Sequence, residues 1–206
     1  MRNHIRSSSR FAIITASVVF AGCTGAPGAA EETVGQTGSA ISADVCPEGV
    51  PAALLPGPDQ TLKSTFTGTG VQIYICNNGS AGPVWTFVAP QANLTNDDGK
   101  LIGTHFIGPT WQGNDGSAVV GTRVAGATVD PTAIPWLLLT ASSHNGIEGR
   151  FDDVTSIQRL STVGGVMPAT GCDASHLGSI AQVPYSAQYV FYKTKDSGKV
   201  KQCGGG

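Results

Sequence analysis

The chain has 206 residues of which 13% are charged, about half the usual share for a soluble domain, and its 28 Gly and 12 Pro favour turns and short strands over long helices. Residues 1–22 hold three of the twelve basic side chains and no acidic one; without them nine basic groups face fourteen acidic ones, a formal charge of −5 that argues against nucleic acid as a partner. The 184 residues that follow suffice for one domain with a real core, not for two.

Arg2, Arg6 and Arg10 precede an apolar run at 11–20 (FAIITASVVF), too short for a bilayer core that needs about twenty residues. Small residues, Ala21 and Gly22, then stand before Cys23. The pattern reads as a lipoprotein signal peptide at 1–22, removed on export, with acyl chains attached at Cys23. Membrane contact is expected through that lipid anchor alone. Thr24 supplies no inner-membrane retention signal, so the expected location is the bacterial cell envelope, on the outer membrane, facing periplasm or exterior.

Residues 23–45 are small and polar without periodicity and bury too little apolar area to offset ordering entropy, so they are expected to form a flexible tether. By random-coil scaling such a tether reaches roughly 25 Å. From Cys46 onward the pattern changes to short β-type runs broken by Gly, Asn, Asp and Pro. Val71, Ile73 and Ile75 alternate with Gln72, Tyr74 and Cys76, as a half-buried strand requires. Asn77-Asn78-Gly79 separates this run from a second at 84–88 (VWTFV), and Asp98-Gly99, a type I′ hairpin signal, precedes a third at 101–107 (LIGTHFI). Asn114-Asp115-Gly116 predicts another hairpin before 117–124 (SAVVGTRV).

The most apolar stretch after the signal, 134–141 (IPWLLLTA), is compatible with a strand or a short helix, since Pro135 suits the start of either. Late strands are expected at 154–160 (VTSIQRL) and 182–192 (QVPYSAQYVFY), the latter with Val183, Tyr185, Ala187, Tyr189 and Phe191 on one face. Seven or eight such runs predict an all-β fold: a single β-sandwich or partly closed β-barrel-like domain with long loops, spanning 46–193 and followed by a polar tail at 194–206.

Apart from Cys23, four cysteines remain for an oxidising compartment, and four thiols allow three pairings. The preferred set joins Cys76 to Cys172, a strand to a late loop, and Cys46 to Cys203, the two ends of the domain. Free buried thiols are the alternative.

Several ordered motifs resemble one family. They are Gly70-Val71-Gln72-Ile73-Tyr74-x-Cys76, Gly103-Thr104-His105-Phe106, Gly108-Pro109-Thr110-Trp111, Ile134-Pro135-Trp136, Ile157-Gln158-Arg159-Leu160, Thr162-Val163-Gly164-Gly165, Gly171-Cys172 and Tyr185-x-Ala187-x-Tyr189. In this order over 46–193 they resemble domain of unknown function 3455, a family of exported bacterial and fungal proteins. The resemblance implies a common fold and supports the Cys76–Cys172 pairing; it implies no catalytic residues or substrate. Cys46 and Cys203 lie at or beyond the edges of the pattern.

The candidate ligand-binding residues are His105, Trp111, Asp115 and Arg159. An imidazole, an indole and a carboxylate sharing one cleft suit a carbohydrate or other small molecule, by stacking and by hydroxyl anchoring. The plainer expectation is that His105 bonds a turn and Trp111 fills core. Arg159, a guanidinium among apolar neighbours, needs a partner; an ion pair with Asp115, Asp152 or Asp153 is expected ahead of anion binding. No His-Glu-x-x-His, Cys-x-x-Cys or Gly-x-Ser-x-Gly spacing occurs, so no metal or cofactor is expected and catalytic residues stay unassigned. The function this supports is a lipid-anchored, non-enzymatic binding or structural domain. The alternative is a small exported hydrolase using His105, Asp115 and Arg159.

Overall fold

A computed structural model of the protein describes residues 47–195. The expected signal at 1–22, the expected tether at 23–45 and all but two residues of the expected tail lie outside the described residues, as do Cys23, Cys46 and Cys203.

Eight strands follow one another: β1 (Gln60–Gly79), β2 (Gly82–Thr95), β3 (Leu101–Phe106), β4 (Thr110–Gly113), β5 (Ala118–Ala127), β6 (Trp136–His144), β7 (Val154–Gly164) and β8 (Ile180–Thr194). Each pairs antiparallel with its chain neighbour, and β8 returns to pair with β1, so one sheet closes on itself. This is the barrel-like form of the expected all-β architecture. Closure removes the sheet edges that would otherwise expose unpaired backbone groups. The ring is irregular: bulges shift the register in β1 against β2, β5 against β6, and β7 against β8. The last of these contains Ser161, with φ 48° the one non-glycine residue of positive φ among those described.

One open choice closes and three local expectations change. The 134–141 stretch takes the strand alternative from Trp136 onward, as β6, because Leu137, Leu138 and Leu139 pair with Arg159, Gln158 and Ile157 across the ladder to β7. Asn77-Asn78-Gly79 stays in the strand, paired with Val84, Pro83 and Gly82, and the chain turns at Ser80-Ala81 instead. Asp98-Gly99 does not form a type I′ turn: Gly99 alone has positive φ, and Asn96 organises the loop by accepting from Gly99 N at its carbonyl and from Lys100 N at its side chain. Along β1 the alternation is as read but the faces are reversed, with Gln72, Tyr74 and Cys76 buried and Val71, Ile73 and Ile75 only partly so.

In an up-and-down ring successive turns alternate between the two ends. The end carrying the 114–117 and 145–153 turns is filled by aromatic rings: Phe66, Phe151 and Phe191 meet at 4.9–6.2 Å, and the Arg150 guanidinium lies 5.6 Å above Phe66. Outside the ring, Leu160, Val190 and Tyr192 on β7 and β8 are covered by Val50, Leu62 and Trp136. There Gln158 donates to Leu54 O (2.6 Å) and accepts from Tyr192 Oη (2.7 Å), which satisfies a buried amide that would otherwise cost free energy. Both faces of this strand pair are therefore packed, and residues 157–160 and 189–192 are buried apart from the partly exposed Arg159. Cys76 and Cys172 form a disulfide with Cα atoms 5.3 Å apart, tying β1 to the loop between β7 and β8.

Candidate functional site

The other end of the ring is not filled. Between the aromatic plug and the 107–109 turn lies a cavity of about 320 Å³, within the size range of small-molecule sites. Its walls are mainly apolar: Phe87, Val88, Pro90, Pro109, Leu137 and Leu139. His105, Trp111 and Tyr189 also line it, and Gln72, Arg123 and Arg159 supply amide and guanidinium groups. None of the thirteen lining residues is acidic, and none is Ser, Thr or Cys.

Strand register explains this gathering. Arg159 on β7 stands opposite Leu137 on β6 and Tyr189 on β8, so the three side chains project together from neighbouring strands. On the facing wall His105 of β3 pairs with Trp111 of β4. Their rings stack with centroids 4.4 Å apart and planes 13° from parallel, and Tyr189 closes against both at 5.0 and 5.5 Å. Two glycines make room for these rings. A Cβ on Gly68 would lie 2.5 Å from Tyr189 Cε2, and one on Gly121 would lie 3.0 Å from Trp111 Cζ3.

Arg159 donates from Nε and Nη2 to the carbonyl oxygen of Pro135, at 3.1 and 2.8 Å. The expected ion pair is absent. Asp152 and Asp153 are taken by Lys63, and Asp115 lies on the turn at the plugged end, so a backbone carbonyl from the β5–β6 connection serves in place of a carboxylate. Burial lowers the Arg159 pKa, a tendency opposed by Tyr189, Tyr185 and Tyr74 and reinforced by the Arg123 charge; a guanidinium nonetheless stays protonated. Tyr189 remains neutral, its pKa raised well above the ordinary value by burial, and its hydroxyl meets that of Tyr185 at 3.1 Å.

His105 is 3% exposed. Burial brings its pKa down to about 3, against the raising effect of a hydrogen bond to Thr110 O and with a further lowering from Arg159. The imidazole is therefore neutral near pH 7. Since a carbonyl only accepts, Nδ1 carries the proton it shares with Thr110 O at 2.9 Å, leaving Nε2 as an acceptor. The plainer expectation for this pair holds, since His105 bonds Thr110 O at the end of the β3–β4 turn and Trp111 is buried at 1% exposure, while both also line the cavity.

Asp115 is not with them. It accepts from Ser117 N, Ser117 Oγ and Arg150 N at 3.1, 2.7 and 2.8 Å, organising the turn that closes the plugged end. Burial works against its ionisation, but these hydrogen bonds and the Arg150 charge outweigh it and lower the pKa. The geometry thus brings together His105, Trp111 and Arg159, separates Asp115, and leaves the hydrolase alternative without its carboxylate. Gln72, Arg123 and Tyr189 are lining residues that sequence reasoning did not single out. Gln72 was hidden by the face reversal in β1, whereas the isolated charge of Arg123 in an apolar run was a usable signal.

Two buried donors in the cavity wall, Gln72 Nε2 and Trp111 Nε1, make no hydrogen bond, although the Gln72 amide lies near enough to Tyr185 to influence its hydroxyl. Among the described residues no three His, Cys, Asp or Glu side chains gather as a metal-ligand set. Neither curated proteins nor solved structures give a match to this chain. One family model does, over residues 56–193, and its description is "Protein of unknown function (DUF3455)"; the chain belongs to that family.

Proposed function

We propose that this protein is an exported, lipid-anchored binding protein whose barrel receives a small, mainly apolar molecule in the cavity bounded by His105, Trp111, Leu137, Arg159 and Tyr189. The observation that carries the reading is a mainly apolar cavity whose wall holds two guanidinium groups and no acidic side chain. Closed eight-stranded barrels have interiors of the size that holds one small ligand, an analogy at the level of fold alone. A neutral His105 whose Nδ1 is committed to a backbone carbonyl, with no Ser, Thr or Cys among the lining residues, favours binding over hydrolysis.

Titration with eight-carbon amphiphiles, octanoate and 1-octanol, followed by ¹H–¹⁵N NMR, tests the reading. Saturable shifts at Gln72, the Trp111 indole and Leu139 are expected, and Leu137→Trp, which fills the cavity, should remove them. If neither compound gives a saturable shift, the reading fails.

Export and anchoring are supported by the basic and apolar leader before Cys23, and by the Cys76–Cys172 disulfide, which suits an oxidising compartment. The lipid would hold the domain on the outer membrane. Cys23→Ala should abolish incorporation of a fatty-acid probe in cells, and labelling retained by that variant would refute the anchor.

A further inference from the structure

We propose that the ligand of this cavity carries a carboxylate, held by Arg159 and Arg123, on an apolar body of about eight carbons; this rests on the binding reading above.

Arg159 and Arg123 line the same cavity from β7 and β5, close enough for the Arg123 charge to act on Arg159, and no acidic residue lines the space with them. The ion pairs among the described residues involve Lys63, Lys193 and His176, not these arginines. A largely buried guanidinium with a second, more exposed one beside it is unfavourable, and an anion held between them reverses the sign of that interaction. Uncharged tyrosine hydroxyls cannot do so.

Hydrogen-bond capacity points the same way. A guanidinium has five N–H donors in a planar fork, and the contacts of Arg159 to Pro135 O and to the Tyr189 hydroxyl do not exhaust them. Behind them, Trp111 Nε1 is a buried donor without a partner, and the Gln72 amide reaches only the Tyr185 hydroxyl. The wall is therefore rich in free donors and poor in free acceptors, with His105 Nε2 the chief acceptor. A group that only accepts is its complement. A carboxylate matches the planar fork of arginine in two-point geometry.

Volume and polarity fix the remainder of the ligand. At the ~30 Å³ that each water occupies in the liquid, a 320 Å³ space holds on the order of ten non-hydrogen atoms. Phe87, Val88, Pro90, Pro109, Leu137 and Leu139 make most of that lining hydrocarbon. Inorganic phosphate would satisfy the charge and leave the apolar walls unfilled; a long-chain lipid would not fit within the cavity.

Isothermal titration of the folded domain with octanoate, 1-octanol and inorganic phosphate separates these cases. Octanoate should bind one-to-one and at least tenfold more tightly than 1-octanol, with phosphate failing to compete. Arg159→Gln should lose tenfold or more for octanoate and little for 1-octanol, erasing the preference. Arg123→Gln, an exposed position whose substitution spares the Pro135 contacts, should lose about threefold and keeps the test valid if Arg159→Gln does not fold. Equal affinity for octanoate and 1-octanol overturns the carboxylate while leaving the cavity as a binding site. Competition by phosphate at similar concentration overturns the apolar body. Binding of neither octanoate nor 1-octanol overturns both this inference and the reading beneath it.

Discussion

The His105 imidazole lies flat on the Trp111 indole, their centroids 4.4 Å apart, in a setting where the imidazole cannot readily take a proton. A cation over an indole face is ordinarily favourable, but burial and the nearby Arg159 charge outweigh that here and bring the His105 pKa down to about 3. The unfolded chain, with an ordinary value near 6.5, binds this proton earlier than the folded one. The stability associated with neutral His105 is therefore fully present above about pH 6.5 and is lost as pH falls toward 3.

Chemical denaturation between pH 6.5 and 4.5, where carboxylates are still largely ionised, should show a decline of about 2 kcal/mol attributable to this group. His105→Gln should flatten the decline whatever its effect on absolute stability. An unchanged slope in that variant contradicts a neutral buried His105.

Gly68 and Tyr189 compete for one volume. The Cβ of an alanine at 68 would stand 2.5 Å from Tyr189 Cε2 and 2.9 Å from Cδ2, and Tyr189 is completely buried against Trp111 and His105. Gly68→Ala should destabilise the fold by about 1–3 kcal/mol through overpacking, measured by urea unfolding. Because the displaced ring lines the cavity, affinity for the eight-carbon amphiphiles should fall in the same variant. A neutral substitution would show that the ring has room to yield.

Much of this arrangement was legible in the chain, and the rest was hidden for specific reasons. The turn residues and apolar runs located most strands, since each depends on residues close in sequence. The closure of β8 onto β1 pairs residues such as Phe66 and Tyr189, more than a hundred positions apart, and no local pattern encodes that. The four-residue strand β4, which carries Trp111, is too short for its period to register. Gln72 sits on the inward face of β1 because the interior there is partly polar and the outer face also packs, so hydrophobicity alone assigned the faces backwards. Arg159 was recognised as needing a partner, but a backbone carbonyl has no signature in the sequence.

Asp115 belongs to structure at the plugged end rather than to the cavity. Its carboxylate receives Ser117 N, Ser117 Oγ and Arg150 N, while Ser117 Oγ accepts from Phe151 N at 3.0 Å, so one acidic side chain joins two turns. Asp115→Ala should cost about 1–3 kcal/mol in unfolding free energy by leaving buried or partly buried donors unpaired. Ligand affinity in the folded variant should stay within twofold of the parent. A selective loss of binding without a loss of stability would return Asp115 to the functional site.

The Cys76–Cys172 disulfide spans 96 residues of sequence, a long enclosed loop whose closure restricts the unfolded chain strongly. It also fixes the loop between β7 and β8 beside the open end of the barrel, where Cys76 N donates to Ser179 O, Cys76 O accepts from Gly178 N, and Trp85 Nε1 donates to Thr170 O. Replacing both cysteines by alanine should lower stability by about 2–5 kcal/mol. The strand ladder should persist, because β1 retains its pairing with both β2 and β8. Far-ultraviolet circular dichroism should then be unchanged at low temperature while the unfolding midpoint drops. Non-reducing peptide mapping of the parent protein should recover Cys76 joined to Cys172, and the same map reads the proposed partnership of Cys46 with Cys203. Recovery of Cys76 as an alkylated free thiol would remove the cross-link from the account of stability and leave the 165–179 loop held by its hydrogen bonds alone.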